Sequence, residues 1–166
     1  LISEIAEILD EKEDAEYFGQ VAENARKAFR ACATVDGKIE SERQADYVRA
    51  LHFNLLNPEE SKAAAAKLNE LVVDAGYHLN TGFLSTPNIC RVLTEYGYAD
   101  TAYRLLLQET APSWLYSVNK GATTVWETWD GIDENGNAKE SLNHYSYGAV
   151  CAWLWDGVAG IQLSTE

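Results

Sequence analysis

Apolar residues recur at helical spacing along most of this chain, and this periodicity constrains the fold more than any other feature. In residues 14–33 they form one stripe on a helix, made of Phe18, Val21, Ala22, Ala25, Phe29 and Cys32. The same spacing continues in the next segment at Ala45, Val48, Leu51, His52 and Leu55. No segment shows a convincing strand pattern. The periodicity therefore predicts an all-α protein.

The first half of the chain contains residues that are typical of helix starts and helix ends. Ser41 and Gln44 match a capping box and predict a helix that begins there. Asn57 followed by Pro58 predicts an N-cap and a proline in the first turn of the next helix, and Gly76 predicts its end. These signals indicate two further helices after the one over residues 14–33.

The second half contains a predicted helical hairpin and an irregular region. Thr86-Pro87 opens a short helix that we expect to end at Gly97 in a left-handed conformation, and Asp100 caps the following helix, which ends before Pro112. The helical period is lost over residues 113–130, and the turn-rich residues 130–136 predict either a long loop or a small hairpin.

The helical period returns at Ser141 and continues to Gly157, which predicts a last helix. The six predicted helices start near residues 14, 41, 58, 86, 100 and 141. This uneven spacing disfavours a regular solenoid of tetratricopeptide repeats, which needs a constant period.

Composition excludes several classes of function. The 166 residues carry a net charge of −13, which repels nucleic acid, and no stretch is apolar and long enough to predict a membrane span. Cys32, Cys90 and Cys151 are too few and too scattered for a disulfide framework or a metal site, so we interpret them as small buried side chains and expect no metal and no cofactor. Their odd number slightly favours the cytoplasm over an exported location.

The segment over residues 121–130 lacks the helical pattern of the rest of the chain and is the best candidate for a functional site. In it, Glu127 stands between Trp126 and Trp129 in the sequence. An indole face stacks on the apolar face of a pyranose, and a carboxylate binds hydroxyl groups or deprotonates a water, so this combination suits a carbohydrate site. The alternative interpretation places the tryptophans in the core and Glu127 at a cap or on the surface. Residue types alone leave both interpretations open.

Several blocks, in order, resemble the catalytic domain of bacterial α-L-rhamnosidases of glycoside hydrolase family 78. The blocks cover residues 78–87, 102–108, 112–114, 121–130 and 141–148. The resemblance is dense from about residue 78 to residue 161 and thinner before that. It implies an (α/α)6 toroid, the six-hairpin glycosidase fold, in which inner and outer helices alternate and loops at one end hold the sugar.

The resemblance also implies a reaction and its residues. It implies inverting hydrolysis of terminal α-L-rhamnose from a glycoside or polysaccharide, in which one carboxylic acid protonates the leaving oxygen and one carboxylate activates a water. Glu127 matches the catalytic base, and His144 matches a histidine that contacts rhamnose. Trp126 and Trp129 either wall this subsite or anchor the loop in the core. For His78 and Asp130 we expect turn-shaping roles.

Residues 1–166 are expected to be a single domain that forms only the C-terminal portion of such a toroid. Twelve helices with loops need on the order of 250 residues or more, and no block in residues 1–75 resembles the family's general-acid segment. We therefore expect weak or no activity from the chain alone, and we expect its apolar faces to be covered by the rest of the toroid or by self-association. Two alternatives stay open, a non-catalytic helical binding or assembly module and a six-hairpin glycosidase with another sugar specificity.

Overall fold

Three pairs of consecutive helices form the body of the molecule, which we analysed as a computed structural model that describes residues 1–133 and 135–162. Helix α1 packs on α2, α3 on α4, and α5 on α6, each pair after a short connection. The bounds are α1 Ile2–Ile8, α2 Lys12–Ala33, α3 Gln44–His52, α4 Pro58–Asp74, α5 Thr86–Glu95 and α6 Ala99–Leu106. The predicted all-α class with helical hairpins is confirmed.

Two short elements and one composite helical segment complete the fold. Residues 34–39 form a small antiparallel hairpin of two-residue strands, β1 Thr34–Val35 and β2 Lys38–Ile39. Helix α7 covers Trp114–Asn119. The last segment is a 3₁₀ helix over Ser146–Val150, one α-helical turn, α8, over Cys151–Trp153, and a π-helix over Leu154–Val158.

The sequence-based map of secondary structure is wrong at four places. It missed α1 and α7 because both are short, with seven and six residues, and a short segment shows little periodicity. It missed the β1–β2 hairpin because two-residue strands are too short to show alternation. It placed the last helix start at Ser141, whereas residues 141–145 are irregular because their backbone bonds another segment, as described below.

The core lies between α3, α4, α5, α6 and the last helical segment. Its most deeply buried large side chains are Val48, Leu68, Val72, Ile89, Val92, Leu93, Leu105 and Trp153. The indole N–H of Trp153 donates to the hydroxyl of Thr94 at 3.1 Å, so its polar atom is satisfied inside the core. The core therefore joins the last segment to the two central helical pairs.

In the central pairs, the ends of α4 and α5 and the starts of α4 and α5 agree with the sequence, whereas two predicted starts are wrong. Helix α6 begins at Ala99 with Tyr98 at its N-cap, so Asp100 lies inside the first turn and does not cap it. Asn57 forms a complete capping box with Glu60, and Gly76 and Gly97 lie past the ends of α4 and α5 with φ of +65° and +88°. The capping box predicted for Ser41 and Gln44 is wrong. The Ser41 hydroxyl donates instead to the Asp46 carboxylate at 2.7 Å, and α3 begins at Gln44 itself.

Gln44 points into the core rather than back to its helix start. Its side chain is buried, and its amide donates to the carbonyl of His78 at 3.0 Å while its carbonyl accepts from the backbone N–H of Asn80 at 2.8 Å. These two bonds join the start of α3 to the segment that precedes α5. Gln44 therefore satisfies backbone groups of an irregular segment that have no regular partner.

Replacing Gln44 with alanine is expected to lower the free energy of unfolding by about 2 kcal/mol, because a backbone donor and a backbone acceptor lose their partner. Chemical denaturation followed by circular dichroism measures the change. The matched control is Gln20→Ala on the exposed side of α2, for which we expect a change within about 0.5 kcal/mol. Equal effects of the two substitutions would contradict the role assigned to Gln44.

An ion pair ties α2 to the start of α4. The Arg30 guanidinium donates to Glu60 Oε1 at 2.7 Å, and Glu60 Oε2 accepts from the backbone N–H of Asn57 at 2.9 Å. The hydrogen bond from Arg30, and then that from Asn57, lower the pKa of the Glu60 carboxyl below its ordinary value.

The stabilisation from Glu60 is expected to depend on pH. Because the folded-state pKa of Glu60 is lowered, its contribution is full above the unfolded pKa of about 4.3 and is lost as the pH falls through the folded-state pKa. Urea unfolding of Glu60→Gln against the unsubstituted chain should show a large difference at pH 7 and a shrinking one below pH 4. Glu59→Gln is the control, since Glu59 pairs with Lys62 on the surface. A Glu60 difference that stays constant with pH would contradict this assignment.

The apolar stripe predicted on α2 exists, but no residue of α2 is buried. The helix contacts α1 and the β1–β2 hairpin, while most of its length faces away from the core.

The expectation that all three cysteines are buried is wrong in part. Cys90 is buried, which raises its pKa to about 12, whereas Cys32 in α2 and Cys151 in α8 are exposed. In the described residues, no helix is both long and apolar enough to cross a membrane.

Candidate active site

The site predicted from sequence lies on two irregular segments that backbone hydrogen bonds join, residues 124–127 and 141–144. The backbone N–H of Glu127 donates to the Ser141 carbonyl at 2.9 Å, and the N–H of His144 donates to the Val125 carbonyl at 2.8 Å. Further along, Lys139 pairs with Gly131 at 2.9 Å, and Ile132 forms a bridge with Ala138. Of the two structures left open for the turn-rich region, these bonds favour an irregular hairpin.

Glu127 is half-buried, and one of its two carboxylate oxygens is held in place. Oε2 accepts a hydrogen bond from the backbone N–H of Ser141 at 3.2 Å, so the side chain binds the same residue as its own backbone N–H. Oε1 has no hydrogen-bond partner among the residues that the structure describes. The carboxylate is therefore oriented by one oxygen, and the other is available to a water or a ligand.

His144 is oriented in a similar way on the neighbouring segment. Its Nδ1 accepts a hydrogen bond from the backbone N–H of Ser146 at 3.3 Å, so in the neutral ring the proton lies on Nε2. The imidazole lies parallel to the rings of Phe83 and Tyr145, with centroid distances of 4.8 and 5.7 Å. The backbone pairing of the two segments thus brings His144 and Glu127 into one region, with Nε2–H as a hydrogen-bond donor.

Trp126 and Trp129 lie in the walls of an adjacent groove of about 340 Å³, whose lining does not include Glu127 or His144. Trp126 is only 4% exposed. Trp129 stacks on Tyr147 with a centroid distance of 3.8 Å and meets Trp114 edge to face at 5.6 Å. Both indoles thus pack at the base of the hairpin, and Tyr147 lines the same groove.

Tyr147 is a buried aromatic residue at this junction. Its burial, and then the negative charge of Glu127, raise the pKa of its phenol above the ordinary value. The phenol therefore stays protonated at neutral pH. The Trp114 indole N–H donates to the Tyr147 carbonyl at 2.9 Å, which connects α7 to the start of the last helical segment.

His78 and Asp130 make local contacts away from Glu127. The ring of His78 bonds the Ala75 carbonyl through Nδ1 and the Thr110 hydroxyl through Nε2, both at 2.8 Å, so both nitrogens are engaged in joining the end of α4 to residue 110. Asp130 pairs with Lys139 across the base of the loop, and this ion pair lowers the pKa of Asp130. Both side chains make structural contacts, but His78 joins residues 75 and 110 rather than shaping the turn over residues 80–82, and Asp130 pairs with Lys139.

Sequence reasoning assigned no role to Phe83, which the structure places against the site. Its ring contacts both His144 and Tyr147, with a centroid distance of 5.1 Å to the latter. The only signal in the sequence is that Phe83 belongs to the block over residues 78–87. Across residues 1–133 and 135–162, no three His, Cys, Asp or Glu side chains are grouped so as to hold a metal ion.

Paired helices and a loop that carries a half-buried carboxylate are features that this chain shares with six-hairpin glycosidase domains. The family model described as the bacterial alpha-L-rhamnosidase 6 hairpin glycosidase domain matches residues 1–158. The chain belongs to this family.

Individual relatives give the same result. The chain is 44% identical over 153 residues to an alpha-L-rhamnosidase of Streptomyces avermitilis, which covers 89% of this chain and 15% of the relative. It is 40% identical over 167 aligned positions to an alpha-L-rhamnosidase of Formosa agariphila, covering 97% of this chain and 18% of the relative. The chain therefore spans less than a fifth of the length of these relatives.

Solved structures confirm the fold. The crystal structure of the Streptomyces avermitilis alpha-L-rhamnosidase complexed with L-rhamnose matches with a TM-score of 0.88 and 40% identity, over 95% of this chain and 16% of that one. The native alpha-L-rhamnosidase of Aspergillus terreus matches with the same TM-score and 32% identity, over 93% of this chain and 18% of that one.

Proposed function

We propose that this chain forms part of the active site of an α-L-rhamnosidase that releases terminal α-L-rhamnose from a glycoside or polysaccharide. The observation that carries the proposal is the match in sequence and fold to the Streptomyces avermitilis enzyme, whose crystal structure is described as complexed with L-rhamnose. The geometry supports it, because a carboxylate oxygen and an imidazole N–H are both available in one region of the surface.

In the proposed reaction, Glu127 is the general base. Its carboxylate removes a proton from a water, the water oxygen bonds to the anomeric carbon, and the glycosidic bond breaks on the opposite face of the sugar. A second carboxyl group protonates the leaving oxygen. In an inverting enzyme the two carboxyl groups lie about 6.5–9.5 Å apart, which leaves room for the water. The first product is β-L-rhamnose.

His144 and the two indoles have supporting roles in this proposal. The Nε2–H of His144 donates a hydrogen bond to a sugar hydroxyl, since Nδ1 is engaged with Ser146. Trp126 and Trp129 support the loop that carries Glu127, because Trp126 is buried and Trp129 is stacked on Tyr147. A direct contact of Trp129 with the sugar remains part of the hypothesis, since this residue is only half-buried.

The rest of the toroid is the proposed partner of the α1–α2 pair. This end of the molecule exposes an unusual number of large apolar side chains, which soluble proteins normally cover: Leu1, Ile2, Ile5, Ile8, Leu9, Tyr17 and Val21. Further helical hairpins would bury this surface and would bring the second carboxyl group. Sedimentation of the chain alone distinguishes this arrangement from self-association, which would appear as a concentration-dependent dimer.

Turnover of an aryl α-L-rhamnoside tests the proposed function. We expect little or no release by this chain alone and clear release when it is part of a complete toroid, with the β-anomer seen first by proton NMR. Release of glucose or glucuronate instead of rhamnose from matched glycosides would support the alternative of another sugar specificity. A complete toroid that binds sugar but cleaves none of these glycosides would support a non-catalytic module.

A further inference from the structure

Phe83 is held in position by a turn whose bonds are buried. The backbone N–H groups of Ser85 and Thr86 donate to the Gly82 carbonyl at 3.1 and 3.0 Å, and the Thr86 hydroxyl donates to it at 2.9 Å. The hydroxyl of Thr86 also lies 2.7 Å from that of Thr81, and both residues are buried. The backbone around Phe83 is therefore rigid before any ligand binds.

The ring of Phe83 remains 39% exposed, although an apolar ring of this size is stabilised by burial. Its face lies on the imidazole of His144 with an interplanar angle of 17° and a centroid distance of 4.8 Å. The ring of Tyr147 supports Phe83 at 5.1 Å and 57°. The exposed side of Phe83 thus lies beside the imidazole of His144.

The imidazole of His144 needs such a support. Its hydrogen bond from Ser146 is 3.3 Å long, which is weak for a backbone donor, and this single bond leaves the ring free to tilt about it. A parallel aromatic face restricts that tilt. A hydroxyl acceptor in a fixed sugar is bound well only when the donor N–H points at it within a narrow range of angles.

We propose that Phe83 is a positioning residue, which holds the imidazole plane of His144 so that Nε2–H points at a hydroxyl of the bound sugar. This inference rests on the proposed function. It assigns Phe83 an action through His144 rather than a contact with the reacting atoms. It also connects the block over residues 78–87 to the site, which explains why an apolar ring is exposed there.

The test compares kcat and KM of the complete toroid on an aryl α-L-rhamnoside. Phe83→Leu keeps an apolar side chain but removes the flat aromatic face. We expect KM to rise about 2- to 10-fold, which corresponds to the loss of one aromatic stacking contact, and kcat to change less. Phe83→Tyr keeps the face and should stay within about 2-fold. Phe53→Leu is the matched control, because Phe53 is an exposed phenylalanine next to a histidine, outside the site.

A double-mutant cycle separates positioning from a merely structural role. In a His144→Ala background, Phe83→Leu should cause no further rise in KM, because the residue on which it acts is gone. A rise of the same size in both backgrounds would overturn the proposal. So would a Phe83→Tyr variant as impaired as Phe83→Leu, or a Phe83→Leu variant equal to the unsubstituted enzyme.

A second measurement does not depend on turnover. Nitrogen-15 NMR of the histidine rings should show the His144 proton on Nε2, with Phe83→Leu shifting or broadening the His144 signals and Phe53→Leu leaving them unchanged. Unchanged signals in Phe83→Leu would overturn the proposal. If the complete protein released no rhamnose, the proposed function would fail, while the NMR result would still decide whether Phe83 orients His144.

Discussion

Glu127→Gln is expected to lower kcat for rhamnoside hydrolysis by about 1000-fold in a complete toroid, because the amide cannot accept the proton of the attacking water. The substitution keeps the size of the side chain, and the amide oxygen can still accept the hydrogen bond from the Ser141 N–H. We therefore expect unchanged circular dichroism and near-normal KM. Stopped assays with an aryl α-L-rhamnoside measure the loss.

Glu140→Gln is the matched control, because Glu140 is an exposed glutamate on the same loop. We expect it to retain at least half of the activity. Restoration of the Glu127→Gln rate by a small anionic nucleophile such as azide, with formation of a rhamnosyl azide, would further support the role of a base. A Glu127→Gln enzyme that remains as active as the Glu140→Gln enzyme would contradict the assignment.

Trp153→Ala is expected to lower the free energy of unfolding of the chain by about 3–5 kcal/mol, the range for removing a buried aromatic side chain. Trp153 is 1% exposed, donates to Thr94 and meets the ring of Tyr103 at 5.4 Å. Its removal leaves a cavity between α5 and the last helical segment. Chemical denaturation followed by far-ultraviolet circular dichroism, which reports the backbone, measures the change in the free energy of unfolding.

Trp155→Ala provides the control two residues further on, since Trp155 is 62% exposed. The same chemical change should there alter the free energy of unfolding by no more than about 0.5–1 kcal/mol. Comparable losses for the two tryptophans would show that the last segment packs differently from the structure described.

Helices whose ends carry strong local signals were predictable from sequence. Asn57 and Pro58 begin α4 as expected, because a cap depends on backbone groups within one turn. The capping box predicted at Ser41 was wrong, since the Gln44 side chain bonds the backbone of His78 and Asn80 instead. The sequence does not show that competition, because those partners lie in a distant part of the chain.

The candidate site was predictable in part. The resemblance to the family pointed to Glu127 and His144. The structure places both on the pair of segments that backbone hydrogen bonds join, and their catalytic roles are predictions. Phe83 was not predicted to have any role, because its contact with His144 joins two distant blocks. For Trp126, only the folded structure shows that the side chain is 4% exposed in the wall of a groove.

The sequence by itself determined the helical class, the family and the bounds of α4 and α5, because periodicity and caps act over a few neighbouring residues. Only the tertiary structure decided which apolar faces are buried and which rings meet. The stripe on α2 and the face of α3 look alike in sequence, yet only α3 is buried. The physical reason is that burial and stacking depend on partners brought together by folding, whereas helix formation depends mainly on local hydrogen bonds.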